Sequence, residues 1–211
     1  WYNFTSDFKN GNKHKVFKYS PYDKTLLLDI DYITMNNNLE WVFESDSAVA
    51  MFHNAESLIR EPMPLPQRHL SEQGIPMLWS TAVYFDKNHS LSELFFDVWG
   101  HVGDEYDFYK FLYGFPGNMY RTDYCVSITN HILNGMGHGE LITDLGIPMI
   151  NMSQHDDIAK VNSADEWIFT VNDRQQNWED TLTLIKRENI HAMNKRSLDR
   201  KFDEIMEALD E

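Results

Sequence analysis

Thr25-Leu26-Leu27-Leu28-Asp29-Ile30-Asp31-Tyr32-Ile33 is an apolar run that closes on two aspartates one residue apart. Three consecutive leucines read as a strand buried on both faces, which is the pattern of a parallel sheet. Turn-prone residues bound the run, Ser20-Pro21-Tyr22-Asp23 before it and Asn36-Asn37-Asn38 after it. In an open α/β sheet ligands sit beyond the carboxyl ends of the strands, so the run delivers Asp29 and Asp31 to where a ligand arrives. Alternate residues of an extended chain face one side, and both carboxylates can then address a single hard cation. Two acids at a strand end also serve simply to solvate a turn, and the pair alone does not separate these readings.

Composition narrows the classes of function. A chain of 211 residues with 42% hydrophobic and 14% aromatic residues can bury a sizeable core, which excludes a disordered chain. Eighteen basic against 33 acidic residues give a formal charge of -15, a field that repels a nucleic-acid backbone. An anionic small molecule needs a metal ion or local cations to reverse that sign. The single cysteine, Cys125, can make no internal disulfide, and no apolar run reaches the length of a bilayer span. With no signal-like leader either, a cytoplasmic protein is expected. The first residue is Trp1, so residues 1–211 are expected to be one domain forming the carboxyl-terminal part of a longer chain.

Outward from the aspartates, Lys13, Lys15 and Lys18 make a locally basic stretch, either a solvated segment or a phosphate-contacting surface. Pro62, Pro64 and Pro66 impose a loop, because each fixes φ and removes a donor. Ile75 to Asp86 is β-branched and aromatic enough to be a strand. Ser90 or Ser92 can cap a following helix with Leu91, Leu94, Phe95, Val98 and Trp99 as its apolar stripe. The aromatic residues from Tyr106 to Tyr113, before a turn at Gly114-Phe115-Pro116-Gly117, read as core or as a stacking platform for a sugar. A helix is expected from Arg121-Thr122-Asp123-Tyr124 to Asn134-Gly135, then a loop through Gly135-Met136-Gly137-His138-Gly139. Short strands are expected at 145–150 and 167–171. A last helix around Leu198 to Leu209 would bury Phe202, Ile205, Met206 and Leu209.

Four tracts occur in a meaningful order: Pro21 to Ile33, Trp79 to Asp86, Tyr120 to Gly135, and Ile190-His191-Ala192-Met193-Asn194-Lys195. In that order the chain resembles the A-type nucleotide-sugar glycosyltransferases, as a phage or bacterial member akin to the glycogenin-like and galactosyltransferase-like families. The resemblance implies an α/β fold, a mainly parallel, Rossmann-like central sheet flanked by helices, here with its amino-terminal strands missing or abridged. It makes Asp29-Ile30-Asp31 the D-x-D metal motif and His191 the late histidine that completes the site around manganese or magnesium. It places Lys195 on the diphosphate, Ser80, Thr81 and Arg121 near the donor, and Asp123 in the position of an acid that meets the donor sugar. The chain has Thr122-Asp123-Tyr124 where the family has D-Q-D, and Asn194 where a glycine is expected. From the residues alone, Ser80 and Thr81 are equally small for packing, and Asp123 is equally a helix-terminal acid.

The implied activity is metal-dependent transfer of a sugar from a nucleotide-diphosphate sugar to an acceptor that the sequence does not name. Two other classes share parts of the pattern. An inert relative would keep the fold without turnover, and a metal-dependent phosphohydrolase would use the same paired aspartates.

Overall fold

The computed structural model describes residues 11–70, 74–115, 119–137, 139, 141–172 and 180–210. The start of the amino-terminal basic and aromatic stretch, Pro116 and Gly117 of the expected turn, and His138 of the glycine-rich segment lie outside the described residues. In chain order the elements are α1 (Val16–Tyr19), β1 (Lys24–Leu28), β2 (Tyr32–Ile33), β3 (Val49–Phe52), β4 (Ala55–Ser57), α2 (Leu65–Arg68), β5 (His69–Leu70), β6 (Ile75–Pro76), β7 (Trp79–Asp86), α3 (Ser90–Asp104), α4 (Tyr106–Tyr113) and α5 (Thr122–Leu133). There follow β8 (Thr143–Asp144), β9 (Met149–Met152), β10 (Asp157–Ser163), β11 (Glu166–Asn172), β12 (Asp180–Lys186), β13 (Ile190–Ala192), α6 (Lys195–Arg200) and α7 (Phe202–Asp210).

These elements form two compact units that interleave along the chain. The first takes residues 1–28, 39–54 and 64–147, and the second takes 29–38, 55–63 and 148–211. Each unit is assembled from three separate stretches, so no linker or change of composition marks a boundary in the sequence.

The first unit carries a sheet in the order β1-β7-β3-β8. This corrects the expected mainly parallel, Rossmann-like sheet: β7 runs antiparallel to both β1 and β3, and only the short β3–β8 pair is parallel. The reason lies in the leucines that suggested it. Lys24–Leu28 is half-buried at every position because β1 is an edge strand, and an apolar run does not itself set strand direction. The strands enclosed on both sides are β7, buried from Trp79 to Phe85, and β3, buried throughout. Phe85 of β7 joins Phe95, Phe96 and Trp99 of α3 in a ring cluster with centroids 4.9 to 6.1 Å apart, mostly edge to face. α3 is capped by His89, whose ring accepts from the Leu91 N–H, and not by either serine. Ser92 is instead buried and donates to the Ala48 carbonyl at 2.9 Å, while Leu94 of the expected stripe is half exposed. The aromatic run of α4 divides: Tyr113 is buried, and Phe108 and Phe111 face solvent.

The second unit holds a sheet in the order β2-β13-β9-β4 and an antiparallel sheet β10-β11-β12. Its core gathers Leu58, Ile150, Met152, Trp167, Phe169, Ile185 and Ile190, among others. β11 alternates cleanly, with Trp167, Phe169 and Val171 inward, as expected of a sheet with one solvated face. The expected last helix is two helices, and of its apolar face only Ile205 packs on the core, with Phe202, Met206 and Leu209 exposed. Among the described residues no helix is long and apolar enough to cross a membrane.

Candidate metal centre

The D-x-D residues are delivered by a turn and not by a strand end. β1 stops at Leu28, and the Tyr32 N–H closes the turn on the Asp29 carbonyl at 2.9 Å, leaving Ile30 fully exposed at its apex. β2 then pairs antiparallel with β13, setting Ile33 opposite Ile190 and Tyr32 opposite His191. The Ala192 N–H donates to the Asp31 carbonyl at 2.8 Å, and β13 is braced on its other side by parallel pairing with β9. Backbone pairing thus fixes His191 beside the aspartates from far along the chain. Ligand atoms of Asp29, Asp31 and His191 all lie within 4.8 Å of one another.

Amide side chains hold the segments that carry these groups. Asn189 is buried just before β13, and its Oδ1 accepts from the N–H groups of Met35 at 2.8 Å and Asn36 at 3.1 Å. Its Nδ2 donates to Asn38 Oδ1 at 2.8 Å, so one side chain ties the loop after β2 to the strand of His191. Asn194, standing where a glycine was expected, caps α6 by accepting from the Ser197 N–H at 3.2 Å and donates to the Asp156 carbonyl at 2.8 Å. Lys195 is therefore the first residue of a capped helix, and its Nζ bonds Asp31 Oδ2.

The electrostatics favour an ionised, cation-ready Asp31. Burial opposes its charge, but hydrogen bonds and charge from His191 and Lys195 outweigh that and hold the carboxyl well below the usual carboxylate range. The His191 ring keeps Nε2 3.5 Å from Asp31 Oδ1, while its Nδ1 is buried with no hydrogen-bond partner. The nitrogen turned toward the carboxylates is therefore Nε2. Two carboxylates and one imidazole suit a divalent ion of the manganese or magnesium kind. The donor set fits the metal that the resemblance implies.

The other expected site residues gather in the first unit. The Ser80 N–H and Oγ both donate to Asp123 Oδ1 at 2.9 Å, and Arg121 Nη2 reaches Asp123 Oδ2 at 3.3 Å. Arg121 lies over the Tyr124 ring at 4.8 Å, and Lys13 Nζ donates to the Ser80 carbonyl. Thr81 is buried on β7 and takes no part in these bonds. Asp123 thereby ties the start of α5 to β7, so its carboxylate is held in place whatever else it touches. Sequence reasoning singled out neither Asn189 as the clamp nor Lys13 as a member of this group. The basic stretch was the available sign for Lys13, and its neighbour His191 was the sign for Asn189. No family model, characterised protein or solved structure matches the chain.

Proposed function

We propose that the chain is a divalent-metal-dependent glycosyltransferase that uses a nucleotide-diphosphate sugar as donor. The observation that carries the reading is the meeting of Asp29, Asp31, His191 and Lys195, the last two of them far from the aspartates in sequence. That combination of two carboxylates, an imidazole and an adjacent ammonium suits a metal–diphosphate.

A divalent ion held there supplies the charge that stabilises a departing diphosphate. The chain's residues do the rest. Asp31 is ionised in the folded state, so no proton need be expelled when a cation binds. Lys195, with its side chain 61% exposed, can turn from Asp31 toward a phosphate oxygen without breaking a packed contact. In the transfer, the bond from the anomeric carbon to the diphosphate oxygen breaks, the acceptor hydroxyl oxygen forms the new bond to that carbon, and the hydroxyl proton is released to solvent.

The test is incubation of the chain with manganese and a panel of nucleotide sugars, followed by product analysis. Nucleoside diphosphate with free or transferred sugar, absent in Asp31→Asn, is the expected result. Nucleoside monophosphate with sugar phosphate would show phosphohydrolase chemistry, and no turnover with any donor would favour an inert relative.

A further inference from the structure

We infer that β12 is a homodimerisation edge, through which two copies of the chain join their three-stranded sheets into one. This rests on the second unit alone and is independent of the metal site. In the order β10-β11-β12, β10 lies beside α6 and α7, whereas β12 pairs with β11 and, among the described residues, with no other strand. A seven-residue edge strand offers a row of backbone donors and acceptors to another chain, and proteins that stay monomeric blunt such edges with short length, proline, bulges or inward-pointing charge. Asp180-Thr181-Leu182-Thr183-Leu184-Ile185-Lys186 has none of these: no proline, no register break against β11, and its charges only at the two ends, facing outward. Leu182 is 69% exposed and Leu184 54% exposed on its solvent face.

The sequence of the strand selects the occupant. An antiparallel, two-fold pairing of β12 with its own copy, centred on Thr183, sets Asp180 of one protomer opposite Lys186 of its partner at both ends. The same register sets Leu182 opposite Leu184 on the solvent face, and Thr181 opposite Ile185 on the core face. Opposite charges and apolar pairs face each other at every outward position, and a two-residue slip would oppose lysine to leucine. Within each copy the same end residues already make matching pairs with β11: Lys186 with Glu166 at 2.6 Å, and Asp180 with Asn172 at 2.8 Å. β12 can therefore extend on its far side the pattern it shows on its near side. A two-fold contact of this kind is self-limiting, because both copies use the same edge and so occupy it.

Sedimentation equilibrium and oxidative cross-linking test the inference. The chain is expected to be dimeric at about 10–100 µM. Asp180→Lys or Lys186→Asp alone places like charges opposite each other twice per dimer and should weaken association about tenfold, while the double exchange Asp180→Lys/Lys186→Asp restores it. Thr183→Cys should cross-link on mild oxidation and Thr181→Cys should not. Cys125 is buried and does not compete. Circular dichroism of each variant separates lost association from lost folding. A monomer throughout that range, a dimer indifferent to the charge exchange, or no cross-link in T183C would each overturn the inference.

Discussion

Replacing Lys195 with methionine should move metal and diphosphate binding in opposite directions. The ammonium sits on Asp31 Oδ2, and the same carboxylate is a member of the three-residue ligand group. A divalent ion entering the site meets that positive charge. At a separation of about 5 Å in a water-like dielectric, a single and a double charge repel by about 2 kcal/mol. Lys195 is mostly solvated and can swing away, which trims the repulsion, and the ion pair lost in the free protein is itself worth under about 1 kcal/mol. The net is close to the 1.4 kcal/mol of one decade, so Lys195→Met should bind manganese about tenfold more tightly when no nucleotide is present. Nucleoside diphosphate binding to the manganese-loaded protein should weaken by about 1.5–3 kcal/mol, the loss of a hydrogen bond to a charged group. Calorimetric titration of manganese, and then of nucleoside diphosphate, reads both numbers. If the substitution weakens manganese binding, Lys195 supports the ligand geometry and does not compete for it. Unchanged diphosphate binding would remove the lysine from the donor site.

Other substitutions test the supports of the site. Asp123→Ala should destabilise the fold by about 2–3 kcal/mol in urea denaturation, because it strands the Ser80 N–H and the Arg121 guanidinium, whereas Asp123→Asn keeps the Ser80 bonds and should cost about 1 kcal/mol. Asn189→Ala should cost about 2–4 kcal/mol and lower manganese affinity as well, since the N–H groups of Met35 and Asn36 lose their acceptor and the loop after β2 loosens. Asp31 titrates below its unfolded value, so the stability it adds is present above the unfolded carboxylate range near pH 4 and is lost as pH falls below it toward the folded value; the stability gap between the protein and Asp31→Asn should therefore hold from pH 7 to about pH 5 and shrink below about pH 4. Burial pushes the Cys125 thiol up to about 12, and the native protein should resist thiol reagents at neutral pH and react only on unfolding.

The parts of the molecule legible in the sequence were those set by local pattern. α5 follows from its apolar spacing between Arg121 and the positive-φ Gly135, and β7 from an unbroken small and β-branched run. Strand direction was not legible, because Thr25 to Leu28 looks alike whether its neighbour runs with it or against it, and edge position leaves those leucines half-buried instead of enclosed. Nor was the D-x-D turn: the apolar Ile30 continues the leucine run in sequence, yet it stands fully exposed in the fold. The grouping of Asp29, Asp31 and His191 was an expectation drawn only from a resemblance in residue type and order. The pairing of β2 with β13 that brings it about is non-local, and no periodicity within either strand announces it. Asn189 acts through three loop contacts from distant residues, which a single sequence does not display.

Glycosyl transfer at this site requires that Asp29, Asp31 and His191 hold one ion. Equilibrium dialysis with manganese, read by the electron paramagnetic resonance of the free ion, measures it in the whole chain. One ion per chain is expected, with affinity reduced at least about 100-fold in Asp31→Asn and in His191→Ala, and with a double variant little worse than either, since ligands of one centre act as a unit. A protein that binds no manganese, or that binds it equally with and without His191, would contradict the metal centre and the glycosyl-transfer reading built on it.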